Sequence, residues 1–175
     1  DAAKHIGLPS EGDTFWTNVL DSSMFNYGEI MDKPGGDNNT IIKAYSNLMN
    51  VTDHGYSGEI MGHVRDNGVY TPSGHWATEA GVDAGKLVLF GETHDSFSND
   101  VKDGGWTKNL SQNYVDRAYA LVASRANSQA LYFSRPSSTN KENIYSGVKG
   151  STHFTSSEVA AVNQFHNAMV GTQEA

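Results

Sequence analysis

Cysteine is absent from the 175 residues, which excludes disulfides, thiolate metal sites and a cysteine nucleophile. That absence assigns no compartment. Basic charge is scarce: 12 Lys and Arg against 20 Asp and Glu leave a net charge of −8. The Lys and Arg residues form no cluster or stripe, so no nucleic-acid partner is expected, because binding phosphates requires a positive surface that displaces counterions. Long apolar runs are missing too. None approaches the roughly 20 residues needed to span a bilayer, so no membrane partner is expected either. No signal peptide is visible. The chain opens on Asp1-Ala2-Ala3-Lys4-His5 without a Met, and a start inside a larger precursor is expected from that.

What remains is a chain long enough for one domain, 37% hydrophobic and carrying 18 glycines. Such a mixture predicts many loops around a modest set of buried elements. Three short apolar runs have the length of buried strands: 24–30, 86–92 and 130–134, the first weakest by composition. The second, Lys86-Leu87-Val88-Leu89-Phe90-Gly91-Glu92, is continuous rather than alternating, as in a parallel strand covered on both faces. Helical spacing appears over 57–66 (Ile60, Met61, Val64) and over 113–126 (Val115, Ala118, Tyr119, Val122, Ala126). A third helix is expected after Ser156, a suitable N-cap, carrying Val159, Val162, Phe165, His166 and Met169, with Gly171 as its stop. Strand and helix in alternation argue for an α/β fold with parallel pairing. The connections 66–85, 96–109 and 135–155 are long and polar, a length that usually accompanies function. Nothing repeats internally, and no stretch is of low complexity.

The informative chemistry is acidic residues at strand ends: Glu29 near the end of one run, and His94-Asp95 just past another. In parallel barrels, residues at the carboxyl ends of strands converge on one mouth, where active sites are built. Carboxylates gathered there divide into a charged and a protonated member, because neighbouring charge and burial push their pKa values apart. That division is the machinery of glycoside hydrolysis. On position alone, however, a strand-end acid is more often a helix cap or loop ligand than a catalyst.

The wording of several segments adds to this. Asp1-Ala2-Ala3-Lys4-His5-Ile6, Tyr27-Gly28-Glu29-Ile30 and Glu92-Thr93-His94-Asp95-Ser96-Phe97-Ser98-Asn99-Asp100 resemble three ordered signature segments of the α-amylase family of glycoside hydrolases. Phe133-Ser134-Arg135-Pro136 and Val162-Asn163-Gln164-Phe165-His166-Asn167 are similar to stretches of secreted, bacillus-type bacterial α-amylases. The resemblance runs from Asp1 to about Gly171. It implies the second half of a (β/α)8 TIM barrel, from the end of strand 4 through helix 8, over residues 1–175. The first half-barrel and the C-terminal β-domain of the family would lie outside the chain.

The resemblance also implies roles. Asp1 would be the nucleophile, Glu29 the general acid and then base, and Asp95 the stabiliser of the oxocarbenium-like transition state. The two carboxyls of such a retaining pair lie roughly 5–5.5 Å apart. His94 would bind sugar hydroxyls at the cleaved unit, and Lys4 and His5 would line the acceptor side. The main-chain carbonyl of His5 would ligate calcium, a cation that takes oxygen donors. Substrate would be starch or malto-oligosaccharide, and the enzyme extracellular. Three readings stay open: endo-hydrolysis of α-1,4 links, a transglycosylase or debranching relative, and a non-catalytic carbohydrate-binding half-barrel fragment. Half a barrel leaves an open sheet edge, so the isolated chain is expected to be inactive and to need the other half of the barrel as partner.

Other residues carry weaker signals. His54, His63, His75, His153 and His166 lack zinc-site spacing and read as surface or packing positions. Trp16, Trp76 and Trp106 are candidates for stacking on sugar rings, with loop packing the equal alternative; Trp106 is the best placed. The Ser-rich stretch 134–139 has no nucleophile-elbow pattern.

Overall fold

A computed structural model describes residues 25–30, 37–68, 76–99 and 104–174. Asp1, Lys4, His5, Trp16 and His75 lie outside these residues. Four strands, β1 (Tyr27–Gly28), β2 (Asn50–Thr52), β3 (Leu87–Phe90) and β4 (Gln129–Leu131), form one sheet in the order β1-β2-β3-β4. Every pairing is parallel, with Gly28 opposite Val51, Thr52 opposite Val88 and Phe90 opposite Leu131. Helices fill the connections: α1 (Asp37–Ser46) before β2, α2 (His54–Arg65) and α3 (Trp76–Glu79) before β3, α4 (His94–Ser98) and α5 (Gln112–Ala123) before β4. A last helix, α6 (Ser157–Met169), follows β4. Sequential parallel strands joined through helices make an α/β layer structure, compatible with part of a (β/α)8 barrel.

The core follows from two periodicities. On β3, Leu87 and Leu89 join Val51 of β2 in the cluster beneath the helices, while Val88 and Phe90 project to the other face. Tyr56, Ile60 and Val64 repeat every four residues along α2, and Val115, Ala118, Tyr119 and Val122 form the matching stripe on α5. All but Tyr119 among these helix residues are essentially inaccessible to water, and each large side chain so buried is worth about 1.5–3 kcal/mol. β3 thus takes helices on one side and covered apolar side chains on the other, which is why its sequence reads as a continuous run.

Several boundaries differ from expectation. The paired parts of the strands are shorter than the apolar runs: two residues of 24–30, four of 86–92, and 129–131 in place of 130–134. α2 begins at His54, ahead of residue 57, because Asp53 caps it: its Oδ1 accepts from Tyr56 N at 2.9 Å. α5 ends at Ala123, before the expected 126. α1 and β2 have no counterpart in the sequence reading. β2 is only three residues long, and α1 buries little besides Ile42 and Ser46, so neither leaves a strong periodic signal. Ser156 caps α6 by accepting from Val159 N, and Gly171 follows the helix at φ +80°, the left-handed geometry that suits a glycine stop. Of the expected α6 face, only Val159 is buried; Phe165 and Met169 are exposed.

Gly91, one residue past β3, is the tightest seam between sheet and helix. A Cβ there would lie 2.8 Å from Ala118 Cβ and 3.0 Å from Tyr119 N, so α5 rests directly on the glycine. Gly91→Ala should therefore destabilise the fold by about 1–3 kcal/mol, the range for overpacking. Urea unfolding checks this: the midpoint should fall at constant slope, and an unmoved midpoint would mean that α5 does not seat on Gly91.

Candidate active site at the carboxyl ends of the strands

Because the strands are parallel, the residues that follow them emerge at one end of the sheet. Four carboxylates do so: Glu29 after β1, Asp53 after β2, and Glu92 and Asp95 after β3. Their surroundings differ sharply. Asp53, buried, accepts from Tyr56 N and, through Oδ2, from Ala77 N at 2.9 Å, tying α2 to α3. Glu92, buried, meets the guanidinium of Arg135 in a bidentate pair with both N···O distances 2.8 Å. Arg135 spends its other donors on the carbonyls of Leu110 and Thr107, and its guanidinium lies 4.6 Å over the ring of Phe97.

Glu29 and Asp95 are the open members, with side chains 40% and 32% exposed. Glu29 lines a cleft of about 340 Å³ with Thr52, Phe90, Glu92, Thr93 and His94. Asp95 lines a smaller hollow of about 200 Å³ with His54, Ser96 and Trp106. Phe90 and Thr93 border both. Asp95 is fixed by α4, where Thr93 and Ser96 form a capping box that places the acid in the first turn, near the positive end of the short helix. His94 points outward at 65% exposure, its Nε2 3.3 Å from Asp95 Oδ1. Another hollow of about 350 Å³ lies before β4, lined by 123–129 and by α6 residues; it holds none of the candidate acids.

No protein-family model matches the chain. Among curated relatives, an alpha-amylase of Clostridium acetobutylicum is 34% identical over 186 aligned positions, covering 99% of this chain and 22% of that protein. An alpha-amylase of Butyrivibrio fibrisolvens is 26% identical over 207 positions, covering 97% of this chain and 21% of that protein. The chain is a homologue of the alpha-amylases. It spans about a fifth of the length of these relatives.

Within this alpha-amylase homologue, the described geometry brings Glu29 and His94 to one cleft and puts Asp95 in the adjoining hollow. Asp1, Lys4 and His5 lie outside the described residues. Among the described residues no group of three or more His, Asp or Glu could hold a metal ion, and no helix is long and apolar enough to cross a membrane. Four histidines expected at surface or packing positions have neighbours of definite chemistry, among them His63, whose Nε2 lies 3.7 Å from Glu59 Oε1. His153 Nε2 lies 2.8 Å from Asp116 Oδ2, and His166 Nδ1 donates to Ala123 O at 2.7 Å. His54 Nε2 lies 3.3 Å from Glu29 Oε1. Tyr132 also lines the cleft; Asp116 and Gln112 hold its phenol, whose pKa is pushed up by burial and then by Asp116. Trp106, half-exposed, has the Arg65 guanidinium 5.5 Å from its ring centre.

The Glu92–Arg135 pair was not legible as a contact, although both residues stand just past successive strands; that shared position is the signal that could have found it. Arg135→Met would strand a buried carboxylate and should cost about 3–5 kcal/mol in unfolding free energy. Glu92→Leu together with Arg135→Met should recover most of that loss, since no charge is then left unpaired. Denaturant midpoints of the single and double variants check this; equal losses in both would deny the pair its role.

Proposed function

We propose that the chain carries the general acid and the transition-state-stabilising carboxylate of a retaining endo-hydrolase of α-1,4-glucosidic bonds in starch and related α-glucans. The observation that supports this most directly is similarity to alpha-amylases over nearly the whole chain, with Glu29 opening onto a cleft at the carboxyl end of a parallel sheet. The activity is proposed for a polypeptide of which this chain is the part described, corresponding to the end of strand 4 through helix 8 of a TIM barrel. The isolated 175 residues would be inactive without the first half-barrel.

In this reading, Asp1 attacks the anomeric carbon as Glu29 delivers its proton to the departing glycosidic oxygen. The carbon–oxygen bond breaks and a glycosyl ester forms on Asp1. Glu29, now a carboxylate, takes a proton from water, whose oxygen displaces Asp1 with a second inversion and so retains configuration. Asp95 faces the positive charge that develops on the ring, His94 binds hydroxyls of the cleaved unit, and Lys4 and His5 line the acceptor side. Half-exposure suits Glu29, which must meet both a leaving group and a water molecule. The main-chain carbonyl of His5 would supply one oxygen donor to a structural calcium. Secretion to where starch is found accompanies this role.

Glu29→Gln keeps size and hydrogen bonding but cannot deliver a proton. Starch hydrolysis by the complete enzyme should fall by about 10²–10⁴-fold, the usual contribution of acid–base assistance, at an unchanged melting temperature. A reducing-sugar assay on soluble starch measures it. Retained turnover would place the acid elsewhere, and no turnover before substitution would favour a non-catalytic carbohydrate-binding role. Cyclic or branched products in place of linear ones would favour a transglycosylase or debranching relative.

A further inference from the structure

We propose that His54 is a positioning residue for Glu29, holding one carboxyl oxygen so that the other presents its proton to the cleft. The inference rests on the assignment of Glu29 as the acid.

His54 is the first residue of α2, directly after the cap Asp53, so a hydrogen-bonded helix terminus fixes its backbone. Its ring is held edge-on against Phe90, with centroids 5.0 Å apart at 71°. Phe90 ends β3, whose four residues are all buried, so the imidazole leans on a covered strand. From that position Nε2 reaches to 3.3 Å from Glu29 Oε1. The same nitrogen is buried and makes no hydrogen bond among the described residues. An unsatisfied buried ring nitrogen is costly, and the penalty is relieved if the half-exposed carboxyl of Glu29 turns slightly to accept from it.

Two other carboxylates nearby are committed elsewhere: Asp53 accepts from Tyr56 N and Ala77 N, and Glu92 pairs with Arg135. Asp95 borders the small hollow with His54 and lies 3.3 Å from His94. Glu29 is the carboxylate that the structure brings to 3.3 Å from the His54 ring nitrogen.

The arrangement suits an acid that becomes a base. With the proton on Nε2, His54 donates to Oε1 whether Glu29 is protonated on Oε2 or ionised, because Oε1 accepts in both states. No tautomer change is required during the cycle. The carboxyl plane is fixed while Oε2 alone exchanges its proton with the leaving oxygen and then with water. A fixed plane matters because a small misplacement of a catalytic group costs rate steeply.

The test uses the complete enzyme, with His54→Leu and His54→Gln. His54→Leu should lower kcat on starch about tenfold and leave KM within about twofold, since orientation of the acid is lost but sugar contacts are kept. In kcat/KM on a chloronitrophenyl maltotrioside, which reads the first bond-breaking step alone and whose leaving group departs without protonation, the same variant should lose less than about twofold. His54→Gln, which still offers an N–H, should regain most of the starch turnover. Equal losses on both substrates, or Gln no better than Leu, would make His54 a packing residue and overturn the proposal.

A readout independent of turnover uses 15N-histidine NMR. The unsubstituted protein should show a slowly exchanging Nε2 proton, identified by its absence in His54→Gln and lost in Glu29→Ala. If that signal persists without Glu29, the contact is refuted even should the enzyme prove inactive on starch. Inactivity with the signal present and lost on Glu29→Ala would instead refute the hydrolase reading alone.

Discussion

The bidentate contact between Glu92 and Arg135 is the constraint on which the open end of the sheet depends. Glu92 stands two residues past β3 and Arg135 four past β4, so the pair clamps the exits of adjacent strands where the backbone ladder has stopped. Its reach is longer than two residues. Through the carbonyls of Leu110 and Thr107 the same guanidinium anchors the connection leading into α5, and Arg135 O accepts from Ser151 N in the segment leading to α6. A buried charge with one partner missing is far more damaging than no pair at all, so the loops at this end are bound to one another's presence. Glu92 also lines the cleft, which makes one wall of the candidate site a product of the clamp.

The strength of that clamp explains how small elements can carry the site. β1 pairs over two residues and β4 over three, too few to set side chains rigidly by the ladder alone. Side-chain bonds take over. Thr52 Oγ1 accepts from Ile30 N, so the residue after Glu29 is tied to β2, and Ser57 Oγ accepts from Phe90 N, tying β3 to α2. These polar bonds sit at the sheet's carboxyl end, where each replaces a ladder bond that the short strands no longer make.

How much of this could be read in the chain depends on what each element buries. β3 announces itself because both faces are covered, and α2 and α5 because their stripes are wide. β2 was invisible since three residues, Asn50-Val51-Thr52, hold neither run nor period. α1 was missed for the same lack of a stripe. The parallel order followed correctly from alternating strands and helices. Glu29, His94 and Asp95 are candidates through their wording alone; the structure adds that they follow strands whose carboxyl ends lie at one side of the sheet. His54 reads as a surface or packing position because an isolated histidine carries no pattern; only proximity to Glu29 distinguishes it, and proximity across 25 residues is a property of the fold.

Position at a strand end does not by itself separate a reactive acid from a structural one. Asp53, Glu92, Glu29 and Asp95 share that position, and sequence spacing ranks none of them above the others. Accounting for their oxygens does. Asp53 gives both to amide N–H groups and Glu92 gives both to a guanidinium, each within an almost water-free setting. In these two carboxylates both oxygens are already engaged by partners within the protein. Glu29 and Asp95 each meet a histidine at 3.3 Å through one oxygen and keep the other free of any hydrogen bond among the described residues. Proton transfer and stabilisation of positive charge both need an oxygen that is oriented but not consumed. Of the four acids at this end of the sheet, these two satisfy that condition among the described residues, and that is the structural ground on which the proposed hydrolysis is assigned to them.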